Sequence, residues 1–317
     1  MSHEIETMAY AGETPWHGLG VSVADDLTPM QMMQKAGVDW RVESVPTTAF
    51  FGSDIIPTGS NALIRESDHK VLAPFIGADW EPVQNSEAFN FFNEYCAAGD
   101  MEMHTAGSLK DGQIVWVLAK IKDSFDALPG DQVDNFFLFT NPHQYGKSLN
   151  VRMTPIRVVC NNTLQMSLSS KSVNEVSLNH RRKFDAELVK QQLGIAHEKF
   201  DQYKEFAQFL ANKKAKSADV IQFMNRSFPH SNTGGKEVKD YADLSPTAKR
   251  AFDVIETQPG AEFAMGTWWN ALNAVTYVAD HELGRSDDAR LTSAWYGHNA
   301  KRKLVAVNTA IEMAEAA

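Results

Sequence analysis

Residues 114–119 read Ile-Val-Trp-Val-Leu-Ala, an unbroken apolar run. Side chains alternate sides along a strand, so such a run has no face to show to water. As a strand it must lie in the middle of a sheet that is covered on both sides. Lys110-Asp111-Gly112, just before it, is a turn sequence, and residues 101–108 are β-rich, so 101–121 is expected to form a hairpin. Residues 136–140, 149–153 and 156–160 extend this into a mainly antiparallel sheet, with Pro155 demanding an edge, a bulge or a bend.

The rest of the chain must supply the cover. Thr28-Pro29 followed by Met30, Met32 and Met33 predicts a short helix with Thr28 as N-cap and Gly37 as terminator. Residues 40–51, 61–65 and 71–76 read as strands, separated by the turn residues Gly52-Ser53-Asp54 and Asp68-His69. Asn85 or Ser86 caps an expected helix through Phe89, Phe92 and Tyr95 that ends at Gly99. Asn161 or Asn162 caps another expected over 163–168. From Phe184, apolar residues at Leu188, Leu193, Ala196, Phe200, Tyr203, Ala207 and Leu210 keep helical spacing. Residues 229–237, rich in Gly, Ser and Asn, form an exposed break, and helices are expected again over 245–256, 266–283 and 300–316. Sheet first and helices later is the order of an α+β fold: an N-terminal mainly antiparallel sheet with packed helices, then a C-terminal helical region. The expected division is 1–183 and 184–317.

A hydrophobic content of 43% and a charged content of 22% are those of a globular protein. No apolar run approaches the roughly 18 residues of a membrane helix. The opening Met1-Ser2-His3-Glu4-Ile5-Glu6 has acids where a signal peptide has basic residues. Only Cys96 and Cys160 occur, far apart, which fits two partly buried thiols in a reducing, cytoplasmic compartment. The net charge of −10 counts against a dedicated duplex-DNA binder. Its distribution is uneven. Residues 1–140 hold 7 Lys/Arg against 21 Asp/Glu, whereas 141–183 hold 7 against Glu175 alone, and 184–317 hold 16 against 18.

Several stretches, in order, resemble the phage/plasmid-like protein family, a widespread domain of unknown function. They are Pro15-Trp16-His17-Gly18-Leu19-Gly20, Trp80-Glu81-Pro82-Val83-Gln84-Asn85, Thr105-Ala106-Gly107-Ser108-Leu109, Val115-Trp116-Val117-Leu118-Ala119-Lys120 and the run from Thr154 to Leu164. Residues 269–278 and Trp295-Tyr296-Gly297 fit its C-terminal pattern. The resemblance implies a phage, prophage or plasmid setting and carries no activity with it.

Residues 141–183 are the most informative for function. Lys147, Arg152, Arg157, Lys171, Arg181, Arg182 and Lys183 suit phosphates, Asn150 and Asn162 suit backbone oxygens, and Tyr145 can stack on a base. In the strand over 149–153, Asn150 and Arg152 share one face and Leu149, Val151 and Met153 the other. Asn162 and Thr163, at an expected helix start, would add N–H groups for a phosphate. The plainer reading is that these cations balance the acids of the first part of the chain. Cys160, with Arg157 near and His143 and Asn161 as partners, has the residue types of a thiol nucleophile, but a small buried residue explains it as well. His17, His281 and His298 are isolated, and no metal-ligand spacing, phosphate loop or dinucleotide fingerprint occurs, so neither a metal nor a cofactor is expected. Trp268, Trp269, Tyr277, Trp295 and Tyr296 read as a packed helical core.

The leading expectation is a protein that binds or anneals single-stranded DNA or RNA through the basic segment. Self-association would extend its groove, and no membrane is involved. The rivals are a non-catalytic phage factor that binds a host protein through its acidic surface, and a Cys160-dependent enzyme.

Overall fold

In the structure, a computed structural model, the apolar run lies in strand β7 (Ile114–Asp126), and Val115, Trp116, Val117, Leu118 and Ala119 are all buried. The description covers residues 5–12, 20–157, 162–163, 175–178, 180, 184–230, 238–285, 290, 293–294 and 297–316. Strands β1 (Ile5–Ala11), β2 (Val21–Val23), β6 (Met101–Leu109), β8 (Gln132–Pro142), β9 (Leu149–Arg157) and β10 (Asn162–Thr163) join β7 in the order β10-β9-β8-β7-β6-β1-β2, and β11 (Glu175–Leu178) pairs with β9. β1 and β2 are parallel, while β1–β6, β6–β7, β9–β10 and β9–β11 are antiparallel. A second sheet holds β3 (Val42–Phe51), β4 (Asp54–Arg65) and β5 (Val71–Ile76). The helices are α1 (Pro29–Lys35), α2 (Asn85–Asn90), α3 (Asn93–Ala98), α4 (Ala186–Asn212), α5 (Ser217–Ser227), α6 (Pro246–Asp253), α7 (Trp268–Tyr277) and α8 (His298–Ala316). The fold is α+β, with a mostly antiparallel N-terminal sheet region and a helical C-terminal region.

Local chemistry explains the element ends. Thr28 Oγ1 accepts from the Gln31 N–H at 3.3 Å and the Gln31 side chain accepts from the Thr28 N–H at 2.9 Å, a reciprocal cap that starts α1. The β6–β7 turn places Lys110 and Asp111 at φ +52° and +58°, with Gly112 at +87°. A Cβ on Gly112 would sit 2.8 Å from the Arg65 guanidinium, so the turn needs glycine for space as well as conformation. Gly107 lies opposite Trp116, and a Cβ there would meet the indole at 2.4 Å.

Four expectations are corrected. The strand expected over 61–65 is the end of a twelve-residue strand that starts at Asp54. The single helix expected to end at Gly99 is two, α2 and α3, and its N-cap is Gln84. Phe91 and Phe92 are both buried and both contact Phe139, and neighbouring residues cannot share one face of a continuous helix. Thr163 does not start a helix, because Asn162 and Thr163 are extended and pair with Arg157 and Ile156. Residues 164–168 lie outside the described residues. The separate strand expected to begin at Ile156 is the continuation of β9. Pro155 falls between the part of β9 that pairs β11 and the part that pairs β10, where a missing N–H is tolerated. The sequence reading also missed β1, β2 and α5.

By contacts the chain divides into two compact units, residues 1–122, 136–153 and 172–195, and residues 123–135, 154–171 and 196–317. In the first, Val42, Leu63, Leu72, Ala73, Ile76 and Trp80 form a core under the second sheet. Arg65, 6% exposed, ties β4 to β1. Its guanidinium donates to both Glu6 carboxylate oxygens (2.9 and 2.8 Å) and to both of Asp68 (2.8 and 2.6 Å), and it lies over the Trp40 ring. The hydrogen bond from Arg65 holds the Asp68 carboxyl down to about 2. In the second unit Trp268 and Trp269 are fully buried, and Trp269 Nε1 donates to Asp131 at 2.8 Å.

Arg65→Ala leaves the half-buried Glu6 carboxylate without its bidentate partner, and loss of one member of a buried pair costs about 3 kcal/mol. Urea unfolding is expected to show that loss, with less damage when Glu6→Gln is combined with it. Equal damage in the single and double variants would mean that the pair does not couple the two sheets.

Candidate functional site

β9 alternates as its sequence implies: Leu149, Val151 and Met153 are buried, while Asn150 and Arg152 are only partly covered on the other face. In register, β11 sets Glu175 opposite Arg152 and Ser177 opposite Asn150. Asn150 Nδ2 donates to the Ser148 carbonyl at 3.2 Å, and Lys147 and Tyr145 are exposed in the preceding turn. Arg157 and Asn162 are register partners at the β9–β10 pairing. Lys171, Arg181, Arg182 and Lys183 lie outside the described residues. The structure therefore brings Lys147, Asn150 and Arg152 onto one short stretch, places Arg157 and Asn162 at the β9–β10 pairing, and leaves the other four outside the described residues.

A second basic site is concave, and the sequence reading did not find it. The C-terminal end of α5, the turn after it and the N-terminal ends of α6 and α8 enclose an open pocket of about 530 Å³. Arg226, His230, His298, Lys301 and Arg302 line it, with Ser227, Ser245 and Thr247, and no lining residue is acidic. Arg226 is held in a two-pronged pair with Glu312 (3.0 and 2.6 Å). Among the described residues no carboxylate pairs with Lys301 or Arg302. Arg302 donates to Asn299 Oδ1 at 3.3 Å and lies over the Phe228 ring. Ser245 caps α6, its Oγ accepting from the Ala248 N–H at 3.1 Å while donating to the Phe228 carbonyl at 2.7 Å. Ser227, 2% exposed, has a buried hydroxyl with no partner among the described residues.

The pocket's electrostatics follow from this layout. Two helix N-termini bring their positive ends to it. The opposite end of α5 works against them, offset by the Arg226 side chain that ends that helix. A missed signal was present in the sequence: His298, Lys301 and Arg302 stand at i, i+3 and i+4, the spacing of one helix face. His298 is thus not isolated.

The remaining candidates resolve differently. His143 is fully buried, its Nε2 3.0 Å from Asn85 Oδ1, which sets the proton on Nε2 and leaves Nδ1 without a described partner. Asn85 Nδ2 donates to the Val38 carbonyl at 3.0 Å and Asn141 Nδ2 to the Val83 carbonyl at 2.8 Å. His180, 2% exposed, stacks on Trp80 with ring centres 4.1 Å apart. Burial pushes the His143 imidazole down to about 3, helped by His180, and burial pushes His180 down to about 4. Such rings serve as packed neutral core groups. Cys160 and Asn161 lie outside the described residues, as do His17, Trp295 and Tyr296. Cys96 is partly buried, and burial pushes its thiol up to about 11, which makes it a poor nucleophile. Among the described residues no group of three His, Cys, Asp or Glu side chains converges as a metal site, and no helix is long and apolar enough to cross a membrane.

Fold and pocket together define an α+β protein with an open cationic recess in its helical part. The family model for Domain of unknown function (DUF932) matches residues 74–295, and the chain belongs to that family. Comparison with curated proteins and with solved structures gives no match.

The two buried imidazoles set a pH dependence. In the unfolded chain they take up protons near pH 6.5, whereas in the fold they stay neutral down to about 4 and about 3. The unfolded state then binds more protons in that window, so their contribution is full above pH 6.5 and is lost as pH falls toward 4. The loss reaches up to about 1.4 kcal/mol per pH unit for each ring. His180→Phe keeps the stack on Trp80 and removes one titrating group. Urea unfolding near neutrality and at about pH 5 should show a smaller loss in the variant than in the parent. Parallel losses would remove His180 from the account.

Proposed function

We propose that the chain binds the phosphate backbone of single-stranded nucleic acid and seats a phosphate in the pocket between α5, α6 and α8. The observation that carries this reading is the acid-free lining, in which Lys301 and Arg302 have no described carboxylate partner. Phosphate oxygens are acceptors only, so they suit guanidinium, ammonium and helix N-termini at once. The recess is open, so a chain of phosphates can run through it rather than a small molecule being swallowed. A net charge of −10 disfavours the denser charge of a duplex, which leaves the single strand as the better ligand. The phage or plasmid setting implied by the resemblance in sequence fits a stoichiometric binding or annealing role, and no step of catalysis is needed.

Lys147, Asn150 and Arg152 on the β9 side, with Arg157, Asn162, Lys171, Arg181, Arg182 and Lys183, make a second contact region in this reading. Their part is separable from that of the pocket.

Fluorescence polarisation with labelled oligo-dT and a matched duplex, over roughly 50 to 200 mM salt, tests the proposal. Four phosphate contacts on a single strand give a log–log slope of about −2.8 and roughly a 50-fold loss of affinity across that range. Lys301→Ala with Arg302→Ala should make the slope shallower by about 1.4, and Arg152→Ala by about 0.7 if the β9 face also takes part. An unchanged slope in the Lys301/Arg302 variant removes the pocket from the interface. Absence of binding by either strand form at the lowest salt ends the nucleic-acid reading and favours a protein partner.

A further inference from the structure

The β3–β4 hairpin runs well past the sheet it belongs to. β5 pairs with β4 only over residues 61–64, which face 43–46 of β3, so 47–60 form a two-stranded ribbon exposed along most of its length. The Thr47 hydroxyl meets that of Ser60 across it at 2.8 Å, and Ser60 and Thr58 meet along β4 at 2.8 Å. At the tip, Phe50 lies opposite Ile55, and Phe51 shares the other face with Ile56. These four side chains are 75%, 63%, 77% and 48% exposed. An isolated two-stranded ribbon is marginal in water, and an apolar tip on both its faces gives a lone chain nothing in return.

A second apolar patch lies on the same unit. Val71 and Phe75 of β5 are each 51% exposed, and Phe75 meets the exposed Tyr145 edge-to-face at 5.3 Å. The ribbon cannot cover its own patch. The row Phe50–Ile55 lies six positions along β4 beyond Asn61, the partner of the last residue of β5, a distance of about 20 Å. Ribbon residues 47–60 include Asp54 and neither Lys nor Arg, so neither a phosphate backbone nor an anionic bilayer suits the tip. With aromatic side chains of 150–250 Å² each, tip and patch together offer on the order of 800 Å² of exposed apolar surface. That is about what one partner brings to a stable protein interface.

We propose that the occupant is a second copy of this chain, the ribbon tip of one copy packing on the Val71–Phe75–Tyr145 patch of the other. Tip and patch are different surfaces, and a two-fold axis lets each copy give its tip and receive the other's, so the contact is reciprocal. Each copy then brings both surfaces to one interface, which closes a pair. It stands apart from the nucleic-acid reading, and Lys301→Ala is expected to leave assembly unchanged.

Light scattering after size exclusion, from a few to a few hundred micromolar, tests it on three proteins: the parent, Phe50→Glu/Phe51→Glu and Phe75→Glu/Tyr145→Glu. All four positions are at least half exposed, so the fold tolerates the changes. The parent's mass should rise with concentration, and each variant should stay at the mass of one chain. An equimolar mixture of the two variants keeps one intact tip and one intact patch, one of the two reciprocal contacts, and should pair more weakly than the parent and form nothing larger. A parent that stays single at all concentrations overturns the proposal, and so does either variant alone pairing as the parent does. A single-chain parent that floats with zwitterionic vesicles, and loses this in the Phe50/Phe51 variant, also overturns it and assigns the tip to a membrane.

Discussion

The helical unit depends on one buried ion pair. Lys303 Nζ lies 2.6 Å from Asp280 Oδ1, with the two side chains 0% and 4% exposed. Taking both charges out of water is costly, and removing either one leaves the other stranded, which costs about 3–5 kcal/mol. The pair therefore sets the rotation of α8. Residues on a helix are about 100° apart, so turning Lys303 inward sends His298, Lys301, Arg302 and Val305 away from it, within about 100° of one another at the pocket. Asp280 reaches Lys303 from the widened turn Val278–Glu282 that follows α7. The pocket's cations on α8 are thus placed by a buried cation of the same helix.

The sheet unit uses the same device with a different residue. Arg65 joins β4, β1 and the Asp68 turn through four charge-assisted hydrogen bonds, and its planar fork matches two carboxylates as a lysine could not. Gln84 adds a neutral counterpart, its amide exchanging hydrogen bonds with both backbone groups of Val42 at 3.0 and 2.9 Å. Both contacts join segments distant in sequence, so neither left a local trace. Gln84 and Asn85 stood out in the sequence only as part of a motif; the structure shows a clamp and a buried amide next to His143.

The parts legible in the sequence are those governed by local rules. An apolar run without a polar face had to be a central strand, Thr28-Pro29 had to open a helix, and the alternation in 149–153 had to put Asn150 and Arg152 on one face. The parts missed are those decided by tertiary contact. β1 is a strand because it fills the place beside β6, and the short β2 follows it. α2 and α3 separate because Phe91 and Phe92 both reach Phe139. The middle of the basic segment was read as a helix start because Asn161 and Asn162 are good caps, yet Asn162 and Thr163 pair with Arg157 and Ile156. Of the candidate residues, Asn150 and Arg152 share a face as their alternation implied. The pocket was missed because its parts come from three helices, although the face spacing of His298, Lys301 and Arg302 was readable.

Charge segregation links the two surfaces. The first 140 residues carry a net −14, the ribbon has no cation, and the pocket has no acid. At physiological salt the screening length is about 8 Å, so a phosphate seated in the pocket responds to the lining cations far more than to distant carboxylates. At low salt the same phosphate feels the net negative charge of the whole chain. Rising ionic strength then weakens two opposed terms together, the local attraction and the long-range repulsion. The observed salt slope should therefore be shallower than the number of cation–phosphate contacts implies, and the difference between a charge-deleted variant and its parent reports the contacts more faithfully than either slope alone. By the same reasoning, pairing of acidic copies would have to overcome their mutual repulsion, which suits contact surfaces that are apolar rather than charged.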